Sequence, residues 1–330
     1  MQPSRSLDLT ELQNAFFVKL KGDGKSTNTL KNYRTDLDCF NNYLLKNQRQ
    51  LDISQFDIPQ VLLYGQYLEQ RYTSDNSRRR RVQALRIFFD YLVGEGHVGA
   101  NPVRKLPTSP KFLDIPRPTP LIDIKVLWEY LLSEGFNPHK MTALMAKRNQ
   151  VILLLIYGAA LKVSDLSQLK VDHIMLTPEG ARVMVDGGKR DPYTIPLPEI
   201  FPIIYEDYLK RLKEMKKISN LTFDQILFNA NPHCIIAGGL SPRGLEMIFE
   251  DLRQKLMIEL TPKSLRQACI FKWIKQKESD SLIKEWMGVA PSYGLKPYRE
   301  IAKGSEFSYQ ENFLKEALIA TQKKLTPKSR

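Results

Sequence analysis

Four positions near the C-terminal end set the chemistry this chain could perform: Lys263-x-x-Arg266, then Val289, then Tyr298. Lys263 and Arg266 follow Thr261-Pro262, a cap residue and a first-turn proline, so the spacing predicts a helix from about 262 with both cations on one face. Two cations in the first turns of a helix mark a place where an anion is favoured. A guanidinium can donate two parallel hydrogen bonds to a phosphate, and a phenol such as that of Tyr298 can attack a phosphodiester if charge on the non-bridging oxygens is stabilised. Such a reaction needs no metal when cations supply the charge. Considered alone, Tyr298 in GLKPYREIA could equally be a core aromatic opening a helix after Pro297, and Arg266 an ion-pair arginine.

Composition narrows the class of partner. The chain has 330 residues, enough for two domains with separate cores, and carries 49 Lys plus Arg against 36 Asp plus Glu, a formal charge of +13. That excess favours a polyanion such as nucleic acid. Residues 1–116 hold 17 basic and 12 acidic residues and the remainder 32 and 24, so both parts share it. Three scattered cysteines and four histidines without metal-ligand spacing argue for a reduced, cytoplasmic setting and for no metal or other cofactor. No apolar run approaches the roughly 20 residues of a membrane span, so no membrane partner is expected.

The elements that must hold these residues are mostly helical. Residues 26–45 carry Leu30, Tyr33, Leu37, Phe40 and Leu44 at helical spacing, with Lys31 and Arg34 on the polar side. Residues 78–93 place Val82, Leu85, Phe88, Phe89 and Leu92 on one face behind Arg78, Arg79, Arg80 and Arg81, with Arg86 inside the pattern. Four cations at a helix start oppose the helix dipole, and phosphate contact would explain them; a solvated charge run is the other reading. Residues 101–120, with six prolines, read as a linker. Helical patterns follow at about 122–134, 143–161, 164–170, 199–217, 242–257 (with Arg243 at its start) and 262–276. The segments 181–185 and 193–197 read as a β-hairpin with Lys189 and Arg190 near its tip.

The segments IYGAALKVSDLSQL (156–169), GGKRDPYTIPL and LTPKSLRQACIFKWI (260–274), then WMG with Val289 and Tyr298, resemble the tyrosine recombinases, particularly the Xer-like and phage-integrase branch. STNTLKNYRTDLDCFNNYL, RRRRVQALRIFFDYLV and Asn101-Pro102 look like that family's core-binding domain. The resemblance implies a mainly α fold with a small β-hairpin or sheet. It divides into a helical core-binding (SAM-like) domain at 1–105, a Pro-rich linker at 106–120, a catalytic-type domain at 121–304 and a C-terminal helix or tail at 305–330.

It also implies a site acting on one scissile phosphate, which falls on Lys162, Lys189, Lys263, Arg266, Val289 and Tyr298, with Tyr298 as nucleophile. Lysine stands at 162 where the family has arginine, and valine at 289 where it has His or Trp. Lys263, in place of histidine, can hold a phosphate but is a poor proton acceptor at neutral pH. The expectation is a protein that clamps duplex DNA through Lys31, Arg34, Arg78, Arg79, Arg80, Arg81, Arg86, Arg190 and Arg243, with strand transfer weak or lost. An active recombinase forming a 3′-phosphotyrosyl link is the rival, and a helical protein-interaction module a third reading. The tail resembles the helix by which recombinases dock into a neighbouring protomer, giving a homo-oligomer; packing on its own domain is the alternative. A nucleoid-associated location accords with DNA binding.

Overall fold

A computed structural model describes residues 8–48, 51–53, 56–107, 115–186, 191–231, 235–304 and 313–325. The chain divides into two compact units, Met1–Leu113 and Asp114–Arg330. Among the described residues it is mainly helical, with two small antiparallel sheets.

The first unit packs four helices, α1 (Leu9–Gly22), α2 (Thr27–Gln48), α3 (Ile58–Arg71) and α4 (Asp75–Gly94), followed by a 3₁₀ turn at Pro102–Lys105. Side chains of Asp8, Asp57, Ser74 and Asn101 accept from backbone N–H groups two or three residues on, so each start satisfies one otherwise unpaired donor. The core is aromatic: Phe40 meets Phe56 edge-on at 4.8 Å and Phe16 meets Phe88 at 5.3 Å. Helices α2 and α4 correspond to the periodic segments of the sequence. Helices α1 and α3 had not been expected. The latter hides because Leu62 and Leu63 on its apolar run are exposed, which blurs its buried stripe of Val61, Tyr64 and Leu68.

The second unit begins with α5 (Leu121–Glu134) and α6 (Lys140–Leu153). The single helix expected over 143–161 instead runs from α6 into a π-helical turn at Leu154–Gly158, and Ala160 takes φ of 51°. Next come α7 (Val163–Gln168) and a three-stranded sheet ordered β1 (Ile174–Thr177), β2 (Gly180–Val185), β3 (Tyr193–Pro196). The hairpin read from sequence is β2–β3, in register through Val183 opposite Ile195. Strand β1 escaped notice because its four residues show no buried-exposed alternation. Helix α8 (Phe201–Ile218), the hairpin β4 (Phe228–Ala230) and β5 (Ile236–Gly238), and helices α9 (Pro242–Leu256), α10 (Pro262–Lys275), α11 (Asp280–Trp286), α12 (Lys296–Ala302) and α13 (Phe313–Leu325) complete the unit.

Helix α10 is buried along most of its length and serves as the axis on which the candidate site is built. Helix α13 packs on its own unit. Phe313 contacts Trp128 and Tyr157, and Lys125 pairs with Glu316 at 3.2 Å.

Candidate phosphate-binding site

The start of α10 is fixed by Thr261, whose hydroxyl accepts from the Ser264 N–H at 3.0 Å, with Pro262 at the first helical position. Lys263 is exposed in this first turn, and Arg266 lies one turn deeper, half-buried. The guanidinium of Arg266 donates from Nε to the Ala160 carbonyl at 2.6 Å and from Nη2 to the Met287 carbonyl at 2.8 Å. One side chain thus clips together two turns distant in sequence.

The first turn carries Lys162, two residues past Ala160. Lys162 caps α7, its N–H donating to Asp165 Oδ2 at 3.0 Å. The second carries Val289, half-buried against the core, with its N–H donating to the Lys284 carbonyl at 3.1 Å. In the second turn, between Met287 and Val289, Gly288 adopts φ of 60°, and a side chain there would run into the Tyr193 hydroxyl. Only glycine suits both demands. The start of β3 therefore rests on the Val289 turn. Lys189 and Arg190, expected near the tip of that hairpin, lie outside the described residues.

Tyr298 is the third residue of α12 and is 8% exposed, its ring 5.7 Å from that of Phe271. Burial pushes the phenol well above the ordinary tyrosine range and Tyr293 adds to the rise, while Arg266 and Gln267 pull the other way without cancelling it. The fold thus brings together Arg266, Tyr298 and the turns bearing Lys162 and Val289. Lys263 and Arg243 line an adjoining groove of about 670 Å³ that also includes Val163, Thr261, Glu246 and Glu250.

In the first unit, Lys31 and Arg34 are exposed on α2, with the Arg34 guanidinium 4.7 Å over the Phe17 ring. The four arginines do not begin α4, contrary to the sequence expectation. Ser74 caps the helix and Asp75 opens it, so Arg78 to Arg81 fall beyond the first residues and their conflict with the dipole is much reduced. Each also has an internal partner. Arg78 pairs with Asp75, Arg79 donates to Asn76 Oδ1 at 3.0 Å, and Arg81 donates to the Ser77 carbonyl while lying 3.7 Å over the Tyr72 ring. Arg80 donates from Nε and Nη2 to Oδ1 of the buried Asp36, at 3.1 and 2.9 Å. Arg86 is half-buried and donates to the carbonyls of Val103 and Leu106.

Two further residues bear on the site. Gln267 follows Arg266 and accepts the Arg117 N–H at Oε1, 2.9 Å away, but an amide on a buried helix face gives no signal in sequence. Lys272 is wholly buried, donating to the Tyr157 and Gly158 carbonyls at 3.1 and 3.3 Å. Its spacing of six residues from Arg266 does not match a helical period. Nothing in the sequence marked it.

Residues 14–96 match the family described as phage integrase, N-terminal SAM-like domain. The tyrosine recombinase XerC of Staphylococcus saprophyticus is 27% identical over 261 residues, covering 78% of this chain and 81% of its own. The tyrosine recombinase XerD of Listeria innocua is 23% identical over 282 residues, covering 85% and 90%. Among solved structures, a lambda integrase dimer bound to a COC′ core site superposes with a TM-score of 0.63 at 16% identity, covering 92% of this chain and 79% of that one. XerH bound to a palindromic difH substrate in a post-cleavage complex also gives 0.63, at 14% identity, covering 83% and 77%. The structural likenesses carry the fold, and the N-terminal match with the near full-length likeness to recombinase sequences supports the tyrosine recombinase family for this chain.

Proposed function

We propose that this chain is a DNA-binding protein that grips duplex DNA through lysines and arginines of both units, and that its strand-transfer activity is weak or lost. The relatives named above include recombinases bound to core-site and difH DNA, which supports duplex DNA as the partner. The observation that carries the loss of activity is the clip: Arg266 spends two donors on the Ala160 and Met287 carbonyls, between a lysine at 162 and an apolar side chain at 289. An ammonium at 162 keeps charge but not the planar two-pronged geometry, and Val289 offers no donor. Each missing donor costs about a hundredfold in rate, so the two together reach on the order of 10⁴-fold if independent. A nucleoid-associated, cytoplasmic protein follows from this reading.

The rival reading, an active recombinase cleaving through Tyr298, draws on the convergence of Tyr298 with Arg266 in one place. A nicked suicide duplex carrying the chain's binding site separates the two. The expected result is no covalent adduct with wild-type protein and an adduct in the double variant Lys162→Arg, Val289→His, abolished by adding Tyr298→Phe. An adduct formed by the wild type and lost in Tyr298→Phe would overturn the inactive reading.

A further inference from the structure

The buried ammonium of Lys272 reaches the turn that leads to Lys162. The helical stretch begun by α6 ends in that turn: the Ala160 N–H donates to the Ile156 carbonyl at 2.9 Å, and the Leu161 N–H to the Leu155 carbonyl at 3.2 Å. Ala160 takes the left-handed conformation there, at φ of 51°, where alanine is strained and glycine is usual. Residues 154–161 are all buried, so a carbonyl that the helix ending leaves without a partner cannot turn to water. Helix α10 supplies the donors. Lys272 Nζ lies 3.1 Å from the Tyr157 carbonyl and 3.3 Å from that of Gly158, and Arg266 Nε lies 2.6 Å from that of Ala160. On its other side the turn backs closely onto Pro198, since a Cβ at Gly158 would stand 2.7 Å from the proline ring.

We propose that Lys272 is a positioning residue for Lys162: together with Arg266 it holds, from inside the core, the strained helix ending that precedes Lys162, the cap residue of α7. The inference rests on the duplex-binding reading, and it names a residue that serves that binding without touching DNA. An ammonium suits the task because its three N–H groups diverge and can serve two adjacent carbonyls at once, which no apolar side chain of similar length can do. With Lys272 gone, both carbonyls lack a donor and the ending loosens around Ala160. Lys162 then loses its fixed place relative to Arg266.

Paired variants of the full chain, with binding to a single duplex measured over a salt series, test this. Lys162→Gln is expected to lower the slope of log affinity against log salt by about 0.9, the loss of one phosphate contact. Lys272→Met, though buried, should lower it by a similar amount, and the double variant by no more than either. Adding Arg243→Gln to Lys272→Met should remove about 0.9 more, because that exposed cation stands on another helix. A slope that Lys272→Met leaves unchanged, or losses that add fully in the Lys162→Gln, Lys272→Met protein, would overturn the proposal. Hydrogen exchange supplies a readout that needs neither DNA nor a variant: in wild type the Ala160 and Leu161 amides should exchange as slowly as those in the middle of α10, although helix ends ordinarily fray. Fraying at these two amides would overturn the positioning role even if Lys272→Met fails to fold. A wild-type protein without salt-sensitive binding would overturn duplex binding instead, and the exchange measurement would still decide whether the helix ending is held.

Discussion

At the scale of single residues, Lys272 is a costly choice for a buried position. Its ammonium is received by two backbone carbonyls rather than a carboxylate, and burial pushes its pKa below the ordinary 10.5. Those carbonyls close the π-helical turn that leads to Ala160 and so to the Arg266 clip. A lysine whose folded pKa is lowered releases its proton in the native state before the unfolded chain does. The unfolded state then binds more protons, and stability contributed by this residue rises with pH between the two values. Replacing it by methionine removes that dependence. It also leaves two carbonyls short of a donor, a cost of about 1–3 kcal/mol offset by relief of the buried charge. Urea denaturation from pH 7 to 10 should show wild type gaining stability over Lys272→Met as pH rises; a difference constant with pH would refute this. Cys269 behaves consistently, its thiol pushed up to about 11 by the same burial.

At the scale of elements, the arginine run of α4 separates what sequence can tell from what it cannot. The periodicity of Val82, Leu85, Phe88 and Leu92 made the helix legible, because burial on one face leaves a repeating trace. The partners of the arginines left none, since Asp36 is 44 residues from Arg80 and belongs to another helix. Burial raises the Asp36 carboxyl above its ordinary 3.8, and Arg80 offsets part of that rise. A carboxyl raised in the folded state favours folding when protonated, so its contribution falls as pH climbs through 3.8 and beyond. Losing Arg80 enlarges the effect. Arg80→Ala should therefore cost little in acid, where Asp36 is neutral in both proteins, and about 1.5–3 kcal/mol at pH 7. Equal losses at both pH values would show that the pair does not contribute as an ion pair. The candidate site follows the same division: Arg266, Val289 and Tyr298 were legible from their intervals, but Gln267 and Lys272 act through contacts between residues that no interval connects.

At the scale of the whole molecule, the question is whether both units grip one duplex, and the basic excess in each part makes that a quantitative matter. Phosphate contacts release counterions, so each contact removed lowers the slope of log affinity against log salt by about 0.9. Many arginines of α4 are held by internal partners, which directs attention to exposed cations: Lys31 and Arg34 in the first unit, Arg243 and Lys263 in the second. Arg243 reaches Glu246 at 3.4 Å, a weak exposed pair that a phosphate can outcompete. If the two units hold one duplex, binding by the second is intramolecular once the first has engaged, and the free energies of the two combine through the effective concentration that the linker sets. Neutralising Lys31 and Arg34 should then lower the slope by about two, neutralising Arg243 and Lys263 should do the same, and the fourfold variant should lose about the sum. Filter binding or gel shift on a single duplex over 50–300 mM salt measures all four proteins. A chain that binds through one unit alone would show one pair changing the slope and the other leaving it untouched, and a chain without a DNA role would show no salt-sensitive binding at all.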